Sequence, residues 1–215
     1  MGERRPLATR ELDISRRLAA ALASRGWTPN AISVAGMFAG LLAGVALGYT
    51  TRYPDGARVL FVVGAVLVQL RLLANMLDGM VAVATEKTTP VGELYNEIPD
   101  RVSDVAILLG LGYSLGGHVE LGWAASVAAV LTAYVRAQVK VAGAPQDFCG
   151  PMAKPHRMFA VTVAALYCAI APGSWQVLFS WGVPTICLAI VTIGSVWTAV
   201  RRLLRGARAL RAADE

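Results

Sequence analysis

MFAVTVAALYCAIAPGSWQVLFSWGVPTICLAIVTIGSVWTAV, the stretch from Met158 to Val200, contains no Asp, Glu, Lys or Arg. It is about twice the roughly 20 apolar residues that one bilayer-spanning helix needs. Ala171-Pro172-Gly173-Ser174 carries turn chemistry, so the stretch reads as two spans folded back on each other. Earlier in the chain the gaps between charges mark four more spans. Ala31–Tyr49 is uncharged, and Val59–Leu77 is apolar except for Gln69, Arg71 and Asn75. Val105–Gly117 and Leu121–Val135 are separated by Gly117-His118-Val119-Glu120. These last two are short, so each helix is expected to continue into its polar flank. Of the 215 residues 56% are hydrophobic and 16% charged, against roughly 25% charged in a soluble domain. A soluble chain of this size could not bury six such helices. The expected fold is all-α: a polytopic membrane protein with six transmembrane helices.

The basic residues set the expected orientation. With six spans, one side receives Arg4, Arg5, Arg10, Arg16, Arg17 and Arg25, then Lys87 and Arg101, then Arg136, Lys140, Lys154 and Arg157, then Arg201, Arg202, Arg205, Arg208 and Arg211. That is all but three of the 20 Lys and Arg residues. Arg52 and Arg58 fall on the other side and Arg71 inside a span. Both termini are therefore expected in the cytoplasm, with the protein in the cell membrane. The net charge of +6 reads as attraction to anionic lipid headgroups, with no nucleic-acid partner.

Three divisions of the chain are expected. Residues 1–28 form a cytoplasmic leader, 29–200 the six-helix domain, and 201–215 a basic cytoplasmic tail. Within the leader, residues 10–26 read as an interfacial amphipathic helix. Ile14, Leu18, Ala21 and Leu22 recur at helical spacing, Arg16, Arg17 and Arg25 lie off that stripe, and Trp27 follows. Thr28-Pro29-Asn30 ends that helix and starts the next. The first apolar run begins near residue 31, too late for a cleavable signal peptide. Gly36, Gly40, Gly44 and Gly48 recur every fourth residue, a groove for close helix packing within the bundle or across a dimer. Cys168 and Cys187 read as packing residues and Cys149 as a loop residue, with no disulfide framework.

The polar residues cluster. Six of the 14 acidic residues, Asp78, Glu86, Glu93, Glu97, Asp100 and Asp104, fall between the end of the second span and the start of the third. Ionisable groups inside a membrane are costly and by default mark function. Arg71, Asn75, Asp78 and Ala82 share one helical face, and Asn96, Asp100 and Asp104 follow one another at single turns. Two facing helices offering oxygens at this spacing can hold a hard divalent cation. Glu86 and Glu93 read as solvated loop acids.

Asn75-Met-Leu-Asp78-Gly79-Met-Val-Ala82-Val83, followed by Gly92-Glu-Leu-Tyr-Asn96-Glu-Ile-Pro-Asp100, resembles the signature of the CDP-alcohol phosphotransferases, D-x2-D-G-x2-A-R-x8-G-x3-D-x3-D. The spacing agrees throughout, and Asp78, Gly79, Ala82, Gly92 and Asp100 are identical to it. Thr28-Pro29-Asn30, the six-span layout and Tyr134-Val135-Arg136-Ala137 extend the resemblance over nearly the whole chain. The resemblance implies transfer of a phosphatidyl-type group from a CDP-linked lipid, CDP-diacylglycerol, to a small polar alcohol or alcohol phosphate, with release of CMP, in phospholipid biosynthesis. It implies Mg2+ or Mn2+ as cofactor, a metal site at Asn75, Asp78, Asn96 and Asp100, and Asp100 as the base. Asn30, Gly79, Ala82 and Gly92 would face the nucleotide. Arg71, Arg136, Lys154 and Arg157 would meet acceptor or phosphate, and a homodimer among membrane lipids is expected.

The departures matter as well. Asn75 and Asn96 stand where the family has its first and third aspartates, and Val83 stands where it has arginine. An amide oxygen can ligate a cation but brings no charge, so the site should hold metal less tightly unless Glu97 or Asp104 assists. Arg71 is placed to replace the lost arginine or to pair with Asp78. The alternative is a non-catalytic membrane protein of the same fold, acting as a lipid-binding or partner subunit. A small transporter is disfavoured, because the polar residues gather at one surface and no internal repeat is evident.

Overall fold

The computed structural model describes residues 13–85, 90–145 and 147–214, and within these every side chain except those of residues 90, 91, 93, 213 and 214. Arg4, Arg5, Arg10, Glu86, Lys87, the side chain of Glu93 and the first residues of the expected leader helix lie outside that description.

The described residues form seven α-helices: α1 Asp13–Ser24, α2 Pro29–Gly48, α3 Ala57–Ala84, α4 Pro90–Gly112, α5 Val119–Val141, α6 Lys154–Ile170 and α7 Val183–Asp214. Among the described residues, three helical stretches are long and apolar enough to cross a membrane, Pro29–Thr51, Pro54–Ala84 and Val183–Ala212. The polarity of the bundle is that of a protein solvated by lipid. Phe38, Leu42, Val45, Val59, Val127, Phe159, Ile193 and Trp197 all face outward with more than half their surface exposed. The interior is lined largely by small residues such as Ala43, Ala65, Ala125, Ala129 and Ala165. Contiguous outward apolar surface on this scale needs a nonaqueous neighbour, and small residues at helix contacts let backbones approach where lipid supplies no hydrophobic drive. The chain is a membrane protein.

α2 packs against both α3 and α4, α3 against α6, α4 against α5, and α5 against α7. The glycine stripe of α2 serves the bundle interior. A Cβ on Gly36 would sit 2.8 Å from Ala74 of α3, and one on Gly44 would collide with the Ala106 carbonyl of α4.

α2 begins where the Thr28 hydroxyl accepts from the Ala31 N–H at 3.2 Å, with Pro29 in its first turn, a pairing suited to a helix start. α1 buries Ser15 and Ala19, and Leu22 packs with Ile32, Leu77 and Val81. Ile14 and Leu18 point away from the protein.

One return differs from the sequence expectation. The return between α6 and α7 is longer than four residues. After the turn around Gly173, Val177–Leu178 (β1) pairs antiparallel with Trp181–Gly182 (β2). Phe179 and Ser180 close the hairpin with φ of 50° and 68°. Positive φ at both central residues matches strand twist but is strained for side chains other than Gly or Asn. At the other end, α7 passes the expected 200/201 boundary without a break, so the basic tail is helical through Asp214. Among the described cysteines all three are free, with Cys168 and Cys187 buried.

Candidate active site

The signature residues of α3 and α4 meet at one end of the bundle, joined by the N-terminus of α6 and by α2. Asn75 Nδ2 donates to Asn96 Oδ1 at 2.9 Å and to Asp100 Oδ1 at 3.2 Å. On its other side Asn75 Oδ1 accepts from Lys154 Nζ at 2.9 Å. With an ammonium on one flank and oxygens on the other, this amide has a single orientation that gives every contact one donor and one acceptor. Lys154 Nζ also donates to Asp100 Oδ2, and Arg71 Nη2 donates to Asp100 Oδ1. Arg71 is 2% exposed, so this is a pair inside the protein. The alternative of Arg71 paired with Asp78 is not what the structure has. Asp100 takes the guanidinium because it lies on the facing helix, while Asp78 is turned toward α2.

There Asp78 Oδ2 accepts from Ser33 Oγ at 2.5 Å. Asp78 is buried, and its Oδ1 has no hydrogen-bond partner among the described residues. Sequence reading did not single out Ser33. The signal was available: it sits one turn beyond Asn30, on the helix that Thr28-Pro29-Asn30 begins.

A second pair lies one turn deeper. Arg157 Nη2 donates to Asp104 Oδ2 at 2.9 Å, with side chains 2% and 1% exposed, while Arg157 Nη1 holds the Met152 carbonyl at 2.9 Å. Arg136 Nη2 donates to Glu97 Oε1 at 2.5 Å and stacks 5.7 Å from the Phe148 ring centre. Arg101 reaches Glu97 at 3.5 Å and Asp100 at 3.6 Å. Both acids that could have moved in as extra ligands are thus held by arginines. Asn30, Gly79 and Gly92 are half-buried near the helix ends, and Ala82 is buried. His156 and His118 are exposed, with His118 bonded to Glu120 at 2.9 Å.

A family model described as CDP-alcohol phosphatidyltransferase matches residues 27–201, from the foot of α2 into α7. The chain belongs to that family. Archaetidylinositol phosphate synthase of Pyrococcus horikoshii is 29% identical over 88% of this chain and 93% of its own. Phosphatidylinositol phosphate synthase of Streptomyces avermitilis is 28% identical over 91% and 79% respectively. The solved phosphatidylinositol phosphate synthase of Mycobacterium tuberculosis with CDP-DAG bound superposes with a TM-score of 0.72 at 24% identity, over 91% of this chain and 94% of that one. The same enzyme was also solved with manganese and citrate. CDP-alcohol phosphatidyltransferases are divalent-metal-dependent membrane transferases of phospholipid biosynthesis.

The site offers few carboxylate oxygens that are free of protein hydrogen bonds. Among the described residues, no three His, Cys, Asp or Glu side chains converge on a common point. Asp78, with one buried oxygen free of protein partners, can offer a carboxylate. Mg2+ characteristically takes one or two carboxylates plus substrate phosphates instead of a full protein cage. The oxygens of Asn75, Asn96 and Asp100 already carry donors from within the protein.

Proposed function

We propose that the chain transfers a phosphatidyl group from CDP-diacylglycerol to a polar alcohol, releasing CMP, at the end of the bundle where α2, α3, α4 and α6 meet. What supports this reading is the meeting of Asn75 with Asn96 and Asp100 across two helices with the family's spacing, while Asp78, on the same helix as Asn75, is bonded to Ser33 of α2. Asp78 would hold the divalent ion, whose chemistry is to offset charge on the diphosphate as CMP departs. Asp100 would take the proton of the acceptor hydroxyl. The acceptor oxygen then bonds to the phosphorus that carries the diacylglycerol, and the bond from that phosphorus to CMP breaks, CMP leaving with the electron pair. Gly79, Ala82 and Gly92 present no bulk, so a nucleotide can lie against them, with Asn30 at its edge. Arg136 and Arg157 border the acceptor side, each with its charge met by a carboxylate, Glu97 and Asp104. Because several relatives are named for inositol phosphate products, inositol phosphate is the first acceptor to test.

In this reading α2–α7 are six spans of the cell membrane, both termini are cytoplasmic, and α1 lies in the interface with Ile14 and Leu18 toward lipid. The protein works as a homodimer.

The test is release of labelled CMP from CDP-diacylglycerol by purified protein, across polar alcohols and their phosphates. The wild type should release CMP with at least one acceptor. Asp100→Asn should abolish release while keeping donor binding. The cations already seated on Asp100 favour one other reading, a non-catalytic lipid-binding subunit. It predicts donor binding with no CMP release from any acceptor.

A further inference from the structure

Compared with the family's four-aspartate signature, this centre has lost two negative charges, at Asn75 and Asn96. In the same place it has two positive charges of its own, Arg71 and Lys154, both bonded to Asp100. The formal charges of Asp78 and Asp100 are thereby balanced before any ion arrives, and the neighbouring pair Asp104 and Arg157 balances itself. A bound diphosphate adds about two negative charges, which one dication offsets. A second dication would leave uncompensated positive charge among buried groups, which is costly. The geometry agrees with the tally. Lys154 Nζ lies between an oxygen from α3, Asn75 Oδ1, and one from α4, Asp100 Oδ2. That is a bridging position, coordinated by the residue types a hard cation would use. Lys154 comes from the first turn of α6, and its side chain is largely buried, 14% exposed.

We propose that the Lys154 ammonium is a resident cation of this centre, bridging Asn75 and Asp100 in place of one metal ion, so that the chain takes a single divalent ion, at Asp78. The proposal rests on the transferase reading only for the location of the site; the count of ions is its own.

Counting bound Mn2+ by electron paramagnetic resonance, on detergent-purified protein with CDP-diacylglycerol present, tests it. The wild type should bind close to one ion per chain. Asn75→Asp with Asn96→Asp should still bind one, because Lys154 remains between the helices. Adding Lys154→Met to that pair should raise the count to two, whereas adding Lys154→Arg should not. If the triple variant fails to elute as a monodisperse species, Lys154→Met alone decides. Removing the ammonium should tighten Mn2+ binding roughly tenfold, the effect of about 1.4 kcal/mol, and Lys154→Arg should leave it unchanged. Two ions in the wild type, none, or no response to Lys154→Met would overturn the assignment. A count of one without CMP release from any acceptor would keep the resident cation and remove the transferase.

Discussion

Among the described residues, Arg157 is the largest fully buried side chain, and its one ionic partner there, Asp104, is equally buried. Such a pair is a weak source of net stability, yet breaking it is expensive, because the surviving charge stays buried without a counterion. Arg157→Met should therefore destabilise by about 3–5 kcal/mol. Arg157→Met combined with Asp104→Leu should recover most of that loss. Thermal unfolding in detergent measures both, and a double variant no better than the single would contradict the charge argument. The sequence showed both residues at the correct end of the molecule and read Asp104 as a spare metal ligand. It could not reveal that Arg157 had already claimed it. The two are 53 positions apart, and helical spacing relates side chains on one helix, not across two.

At the level of elements, the glycines of α2 are not equivalent. At Gly44 an added methyl would run into the Ala106 carbonyl, and Gly110 on α4 returns the contact by pressing on the Gly44 backbone. At Gly48 the nearest atom to an added Cβ is 3.6 Å away, on Tyr113. Gly44→Ala should lower the melting temperature by several degrees. Gly48→Ala should hold or raise it, since alanine is favoured over glycine in a helix by up to about 1 kcal/mol. Equal effects at the two positions would mean that α2 and α4 are not in van der Waals register. Periodicity identified this stripe but left its partner open, because a glycine groove has the same spacing whichever helix fills it.

Elsewhere the elements were legible in proportion to how apolar they are. α2, α3 and α7 stand out by hydropathy alone. α4 does not, since it carries Glu97, Asp100, Arg101 and Asp104 in its first two-thirds and Pro99 within it. Proline removes a backbone donor from a helix interior. One turn later the Ser103 hydroxyl donates to the Pro99 carbonyl at 2.7 Å. The same polar residues that lower the hydropathy of α4 are those that make it half of the site. The β1–β2 hairpin was not legible because Phe179-Ser180 is not a sequence that favours positive φ.

At the scale of the whole molecule, the distribution of charge fixes an expected topology. Cysteine placed at Asp55, in the return between α2 and α3, should react with an impermeant thiol reagent on intact cells. Cysteine at Pro145, between α5 and α6, should not, in a background lacking Cys149, Cys168 and Cys187. The reverse pattern would invert the molecule. The ladder of charge between α4 and α6 has a consequence for how such a molecule is made. Lys154 and Arg157 on α6 answer Asp100 and Asp104 on α4, two rungs on consecutive turns. A ribosome delivers α4 well before α6, and in that interval the deeper carboxylate of α4 has no arginine to meet it. An ion alone in hydrocarbon is costly. On the proposed six-span reading, α4 would wait at the edge of the bilayer, or in the shelter of the insertion machinery, until α6 emerges. The order of synthesis thus makes α6 the keystone, and a nascent chain halted before Lys154 should still have an unfinished membrane domain.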